Sequence, residues 1–427
     1  MKLLIEKIKN KKFTVGIIGL GYVGLPLAQL FIKKKIKVLG IDSDKKKINL
    51  LRNGYSYISS KNQKNFKYFS NHKQNISNDY KILRLANVII ICLPTPLKKL
   101  KPDMSYIFNC AKEISKIIQK EQVIILESTV YPGATNEFFK ILNKKKFTAG
   151  KNIFIGYSPE RVNPGDKLFT YNITPKVISG KTANCLKIID CIYSFIINKT
   201  IKAQTIKSAE ASKLLENLYR AVNIGLVNEF KIICEKLNID IFEIINLAAT
   251  KNFGFRKFLP GPGLGGHCIP IDPYYLSWAS NKNGYDPKFI KLSGQVNRLM
   301  PQWVVNKVIK NLKIKKSTIL ILGISYKKNV DDDRESPAFE IMKILKKKKI
   351  FFQYNDPYFQ KLRKGRNIDF SKKSIKLTKK NLSKYSAILL VTDHDAYDYN
   401  FIASNSKIIF DTRGRYKEYN YNNIIYC

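Results

Sequence analysis

The chain has 427 residues and a formal net charge of +44, from 76 Lys and Arg against 32 Asp and Glu. With 44% hydrophobic and 12% aromatic residues it is too apolar to be a disordered chain, and its length suits two or three domains of ordinary size. No apolar run is long enough for a bilayer-spanning helix, and the charged start Lys7–Lys12 leads into a glycine-rich turn rather than a cleavage site. A soluble, cytoplasmic protein with no membrane partner is expected.

The basic residues are mostly Lys and lie in short scattered runs such as Lys33–Lys35, Lys144–Lys146 and Lys346–Lys349. A nucleic-acid binder concentrates its basic residues on one face or arm, so the charge reads as solvated surface and no nucleic-acid partner is expected. Seven Cys without a CxxC pair, and three His far apart in the chain, speak against a disulfide framework and against a metal site.

In chain order, a buried strand Thr14–Ile18 is followed by a glycine turn, the apolar helix Gly24–Lys33 and a second strand Lys37–Ile41. Strands are also expected at Asn87–Cys92, Gln122–Leu126 and Asn152–Gly156, with helices between several of them. Strands alternating with helices indicate a doubly wound parallel sheet, here over residues 1–205. From Ser208 to Leu237 the only breaker is Gly225, and Leu214, Leu218, Val222 and Leu226 recur every four residues, which predicts a long amphipathic helix. Helix Ile241–Ala249, a glycine- and proline-rich loop Leu259–Pro273 and helices at Tyr274–Ser280 and Lys288–Asn297 complete a central helical region, 206–307, suited to catalysis and dimerisation. Strands at Ser317–Gly323, Ile350–Tyr354, Ala387–Val391 and Lys407–Phe410, with a helix at Pro337–Lys346, predict a second doubly wound domain over 308–427. The fold class is therefore α/β, two Rossmann-like parallel-sheet domains joined by a long-helix domain.

The glycine turn reads Gly19-Leu20-Gly21-Tyr22-Val23-Gly24, a GxGxxG between a strand and a helix. Its first glycine permits the turn, its second lets the backbone approach a pyrophosphate, and its third packs the helix on the strand. Asp42 ends the second strand, where a carboxylate accepts ribose hydroxyls and repels a 2′-phosphate, so NAD is the expected cofactor; Lys45–Lys47 act in the opposite sense. Cys92-Leu93-Pro94-Thr95-Pro96 and Glu127-Ser128-Thr129-Val130-Tyr131-Pro132-Gly133 follow strand ends, where ligands meet such sheets. Cys268 sits in Gly261-Pro262-Gly263-Leu264-Gly265-Gly266-His267-Cys268-Ile269-Pro270-Ile271-Asp272-Pro273, a loop too glycine-rich for a packing element. An accessible thiol beside a dinucleotide domain suggests oxidation of an aldehyde through a thioester. Lys213 and Asn217, four apart on the long helix, are suited to hold an oxyanion.

Taken together and in order, GLGYVGLP, CLPTP, STVYPG, YSPERVNPGD, AEASKLLENLYRAVNIGLVNE, PGPGLGGHCIPIDP and GISYKKNVDDDRESPAFEI resemble the UDP-glucose/UDP-N-acetyl-sugar 6-dehydrogenase family. The resemblance implies a four-electron oxidation of a UDP-sugar C6 alcohol to the uronate with two NAD+. Cys268 matches the nucleophile, Lys213 and Asn217 the pair on the C6 oxygen, and Asp272 the acid assisting proton transfer through water. Thr129 and Glu160 match residues near the reacting carbon and the hydrolytic water. Gly19, Gly21, Tyr22, Val23, Gly24, Asp42, Lys47, Thr95 and Thr129 match cofactor positions. Glu160, Arg161, Lys213, Asn217, Gly265 and Arg334 match the substrate site. The SPERxxPG form of Ser158–Gly165, with Pro164 where UDP-glucose enzymes usually carry a second acidic residue, resembles the N-acetylhexosamine branch. The resemblance implies UDP-GlcNAc as substrate and a role in surface polysaccharide synthesis, while the long helices between two α/β units lead to the expectation of a homodimer or higher homo-oligomer. UDP-glucose, UDP-GalNAc and UDP-ManNAc are alternative substrates, and a basic nucleic-acid-binding protein on a Rossmann scaffold is the alternative of a different class.

Overall fold

The computed structural model describes residues 1–57, 67–144, 146–161, 174–266, 269–312, 317–362 and 368–427. These residues form two compact units, Met1–Glu216 with Tyr274–Tyr285, and Asn217–Pro273 with Asp286–Cys427.

In the first unit, eight strands among the described residues form one sheet: β1 (Thr14–Ile18), β2 (Lys37–Ile41), β3 (Ile76–Ser77), β4 (Val88–Ile91), β5 (Val123–Leu126), β6 (Phe154–Tyr157), β7 (Lys176–Gly180) and β8 (Thr200–Lys202). Their order is β8-β7-β6-β5-β4-β1-β2-β3, parallel throughout except between β6 and β7. All four residues of β4 and of β5 are buried, as a strand covered on both faces requires, and these are the Val/Ile/Leu runs that marked them in the sequence. Strand order reverses at β1, whose Ile18 pairs with Ile41 on one side and Ile91 on the other. The crevice outside the carboxyl ends of β1 and β4 is therefore where this topology receives a ligand.

The long helix spans Ile206–Leu237. In the first unit its buried Glu210 accepts hydrogen bonds from the backbone N–H groups of Gly133 (2.5 Å) and Thr135 (2.8 Å), and so caps the helix Ala134–Leu142 that follows the Glu127–Gly133 turn. Burial raises the Glu210 carboxyl above its ordinary range, which these two donors partly offset.

The second unit carries a five-stranded parallel sheet among its described residues. It comprises β9 (Thr318–Leu322), β10 (Phe351–Asn355), β11 (Ala387–Leu390), β12 (Ile409–Asp411) and β13 (Ile424–Tyr426) in the order β10-β9-β11-β12-β13. Against the expected Lys288–Asn297, the helix there runs from Lys288 to Leu312, straight through the buried Pro301. Proline removes one N–H and so frees the carbonyl of Asn297, where the backbone of Gly263 approaches so closely that a Cβ on it would lie 3.4 Å from that oxygen. The same Asn297 donates from Nδ2 to the Ala221 carbonyl, while its Oδ1 accepts from Asn228 Nδ2 (2.9 Å). Asn228 Oδ1 in turn accepts the N–H of Gly261 (2.9 Å), which fastens the start of the glycine-rich loop to the long helix. At the other side of that loop the Gly266 N–H donates to the Arg334 carbonyl (2.9 Å), so two hydrogen bonds hold the segment that leads to Cys268.

Candidate active site

In the first unit the glycine turn has the geometry its spacing predicts, with a separate physical reason for each glycine. Gly19 has φ +89, a conformation only glycine adopts freely, and a Cβ on it would lie 2.6 Å from the Cys92 carbonyl oxygen. A Cβ on Gly24 would lie 2.0 Å from the Gly19 carbonyl oxygen, so the helix Gly24–Lys33 can sit on β1 only without a side chain there. Gly21 is different: a Cβ would meet nothing within 4 Å. That open space, in front of a helix N-terminus, fits a pyrophosphate. Asp42 is buried, with one carboxylate oxygen accepting from the Leu20 N–H (3.0 Å) and the other from the Asp44 N–H (2.9 Å). Each oxygen keeps acceptor capacity for a ribose hydroxyl. Lys47 Nζ lies 3.9 Å from Asp42 and 5.6 Å from the Tyr57 ring centre, and the Tyr57 hydroxyl donates to the Leu20 carbonyl. Tyr57 was not among the residues expected from sequence; burial, then Asp42 and Asp44, raise its pKa.

The polar strand ends converge as well. Thr95 donates from Oγ1 to the Thr129 carbonyl (2.8 Å), and the buried Tyr275 donates its hydroxyl to the Thr95 carbonyl (2.8 Å). Beyond β5 and β6 lies a buried ionic cluster that sequence reasoning missed. Lys176, the first residue of β7, places Nζ 3.2 Å from Glu127 Oε1 and 3.5 Å from Glu160 Oε2. Tyr193 donates its hydroxyl to the same Glu127 oxygen. Burial pushes the Glu127 carboxyl up, and Lys176 pulls it only partly back. Burial alone would lower Lys176, but Glu127 and Glu160 more than reverse this and raise it. Burial and then Glu127 push the nearby Cys92 thiol well up, which disfavours its thiolate. Arg161 is engaged by Glu216 (Nε to Oε1, 2.7 Å) and by the Pro175 carbonyl.

Lys213 is half-buried on the long helix and has no ion pair among the described residues. In the second unit the structure brings Asn217 and Asp272 together: both are buried, and Asn217 Nδ2 donates to Asp272 Oδ2 at 2.5 Å. A Cβ on Gly265 would lie 2.6 Å from Tyr326 Cβ, so the loop lies against the turn after β9. Arg334 forms a two-pronged pair with Asp332, Nη2 to Oδ2 at 2.6 Å and Nε to Oδ1 at 2.9 Å. Cys268, His267 and Pro164 lie outside the described residues. Lys231, another residue without a sequence signal, is buried with Nζ 5.3 Å from the Trp303 ring centre and no hydrogen-bond partner among the described residues. Burial pushes its pKa down to about 8.

Three models of the UDP-glucose/GDP-mannose dehydrogenase family match in succession: the NAD binding domain over residues 13–197, the central domain over 207–299 and the UDP binding domain over 320–418. The chain is 35% identical over 417 residues to the protein CapL of Staphylococcus aureus, covering 94% of this chain and 96% of that one. It is also 35% identical over 394 residues to the UDP-N-acetyl-D-glucosamine 6-dehydrogenase of Salmonella typhi, covering 90% of each. Among solved structures, the UDP-D-ManNAc dehydrogenase of Pyrococcus horikoshii superposes with a TM-score of 0.86 at 27% identity, covering 97% of this chain and 98% of that one.

The glycine geometry separates stability from cofactor binding. Gly24→Ala is expected to cost about 1–3 kcal/mol of stability through overpacking, read as a lower thermal midpoint. Gly21→Val is expected to leave the midpoint almost unchanged while raising the Kd for NAD at least about tenfold, roughly 1.4 kcal/mol. Calorimetric titration with NAD and a thermal melt of each variant check the pair; equal effects of both variants on stability would contradict the assignment of Gly21 to the ligand side.

Proposed function

The chain belongs to the UDP-glucose/GDP-mannose dehydrogenase family and is an NAD-dependent UDP-sugar dehydrogenase, and from that premise we propose that its substrate is a UDP-N-acetylhexosamine, UDP-GlcNAc first, oxidised at C6 to the uronate. The observation that carries the chemical reading is the buried Asn217–Asp272 pair, both residues of which match the family's catalytic positions. The substrate reading is supported by the Salmonella typhi relative and by the SPERxxPG segment. UDP-ManNAc is the second reading, favoured by the substrate named for the Pyrococcus horikoshii structure.

Bound NAD supplies the hydride acceptor for each of two successive oxidations. Gly19, Gly21, Tyr22, Val23 and Gly24 present backbone to its pyrophosphate, Asp42 takes the ribose hydroxyls, and Lys47, Thr95 and Thr129 complete its setting. In the proposed mechanism Lys213 and Asn217 hold the C6 oxygen and stabilise the negative charge that develops on it. Asp272 fixes the Asn217 amide, because a carboxylate accepts only and so turns Nδ2 toward itself, leaving Oδ1 and the second N–H for other partners. Asp272 also moves the alcohol proton out through water. The Cys268 thiolate adds to the aldehyde carbon to give a thiohemiacetal, and loss of the second hydride gives the thioester. Glu160, with Thr129 near the reacting carbon, takes a proton from the water that releases the uronate. Arg161, Gly265 and Arg334 line the sugar nucleotide, with Arg334 suited to anionic oxygens once it exchanges Asp332 for them. The product fits supply of uronic acids for surface polysaccharide, in the cytoplasm.

A homodimer is part of the same proposal. In the second unit Tyr219, Leu226, Phe230, Ile233 and Leu237 are exposed at helical spacing along one face of the long helix, and Leu226 and Leu237 are each more than 60% exposed. A row of large apolar residues at this spacing suits burial against a second copy.

A panel of UDP-glucose, UDP-GlcNAc, UDP-GalNAc and UDP-ManNAc, followed by NADH absorbance, is expected to give the highest kcat/KM with UDP-GlcNAc. A clear preference for UDP-glucose would overturn the N-acetylhexosamine reading. Cys268→Ser is expected to lower uronate release at least about a thousandfold, roughly 4 kcal/mol of lost transition-state stabilisation. Sedimentation of Leu226→Asp is expected to show monomer where the native chain shows dimer; an unchanged sedimentation coefficient would remove this face from the interface.

A further inference from the structure

Lys176 is buried at the base of β7 with only 4% of its surface exposed, and it belongs to no motif of the sequence. Among the described residues, the groups facing it are Cys92 after β4, Glu127 after β5, Glu160 after β6, and Tyr193 at the end of helix Ala183–Tyr193. Its ammonium lies 5.1 Å from the Tyr193 ring centre and 3.5 Å from the Pro159 carbonyl oxygen. Two carboxylates thus share one ammonium where almost no water reaches. Glu127 is fully enclosed and its Oε2 has no hydrogen-bond partner among the described residues, whereas the Glu160 side chain, just after the carboxyl end of β6, is 13% exposed. A buried cation is costly without a counter-charge, and a buried carboxylate pair without a cation takes up a proton.

We propose that Lys176 is a positioning residue for the hydrolytic half of the reaction: its ammonium, anchored by Glu127, holds Glu160 as an oriented carboxylate that accepts a proton from water. This rests on the role proposed above for Glu160. In that step the water oxygen bonds to the thioester carbonyl carbon and its proton passes to Glu160. The C–S bond then breaks with its electron pair returning to the Cys268 sulfur, and the resulting acid loses its proton to solvent. No electrons leave the system, so no further oxidant is needed. Glu127 is the counter-carboxylate: it holds the ammonium from the closed side, which leaves the open side to Glu160.

The two halves of the cluster have opposite consequences. Without the ammonium the carboxylates repel and the pair keeps a proton to higher pH, so the base is absent at neutral pH. Without the Glu127 charge, the ammonium faces Glu160 alone and the base persists to lower pH. Lys176→Met, Lys176→Arg and Glu127→Gln, each in the full chain with NAD and UDP-GlcNAc, test this by rapid-mixing NADH traces, intact-protein mass and the pH profile of kcat. At pH 7, Lys176→Met is expected to keep the initial burst of NADH and accumulate a covalent sugar-nucleotide adduct on Cys268. Its steady-state kcat should fall at least about tenfold, one unit of displacement of the acid limb, and recover as pH is raised. Lys176→Arg should restore turnover at neutral pH, and Glu127→Gln should move the acid limb to lower pH. Native kcat and pH profile in Lys176→Met would overturn the proposal. So would a burst that falls in step with kcat without any adduct, the result of a merely structural role. Should Lys176→Met not fold, an acid limb in Glu127→Gln that coincides with the native one overturns it equally. Uronate release by Cys268→Ser at the native rate, with no adduct in any variant, would instead bring down the thioester reading on which the proposal stands.

Discussion

The contact of Gly24 with Gly19 is the constraint on which the cofactor half of the molecule depends. Because the helix start and the end of β1 approach to a distance that excludes even a methyl group, the helix N-terminus is held over the crevice between β1 and β4. The space before Gly21 stays open, so that a Cβ there would meet nothing within 4 Å. Asp42 comes to the same place from β2, where its carboxylate accepts from the Leu20 and Asp44 N–H groups. The tight turn and the ligand space are two results of one packing requirement, and a single β-carbon in the wrong position separates them.

Along the carboxyl edge of the same sheet the chain replaces apolar packing with polar networks of increasing charge. Near β4 and β5 they are neutral, Thr95 to Thr129 and Tyr275 to Thr95. Beyond them they become ionic, with Lys176 between Glu127 and Glu160. In the second unit the pattern recurs around the glycine-rich loop, where amide networks through Asn228 and Asn297 hold its start and Asn217 is paired with Asp272. Buried polar groups of this kind are costly unless partnered, and the hydrogen bonds and ion pairs they make here tie down the backbone that carries the candidate reactive groups.

Much of this was legible in the sequence because the signals are local. The Thr14–Ile18 and Lys37–Ile41 strands and the Gly24–Lys33 helix stand where apolar run, glycine turn and acidic end placed them. The long helix starts at Ile206, close to the expected Ser208, because no breaker interrupts its apolar period. The helix through Pro301 was not legible, since the proline rule cannot know that a glycine from a distant loop will cover the carbonyl it frees. The antiparallel β6–β7 pairing has no periodic signature that distinguishes it from a parallel neighbour. Lys176 and Lys231 were hidden for a different reason: among so many lysines a buried one has no mark. They are the only buried lysines among the described residues, and both owe their character to partners far away in sequence. The charge of +44 is thus mostly surface, and the basic groups that matter to chemistry are found by their surroundings.

The central claim is that one thiol lets a single enzyme carry a sugar alcohol through the aldehyde to the acid. The most direct measurement is the amount of NADH formed per UDP-sugar consumed when the sugar is limiting and NAD is in excess, with the product identified by mass. Two NADH per uronate formed is the expected result. One NADH per sugar, with an aldehyde as the released product, would contradict it.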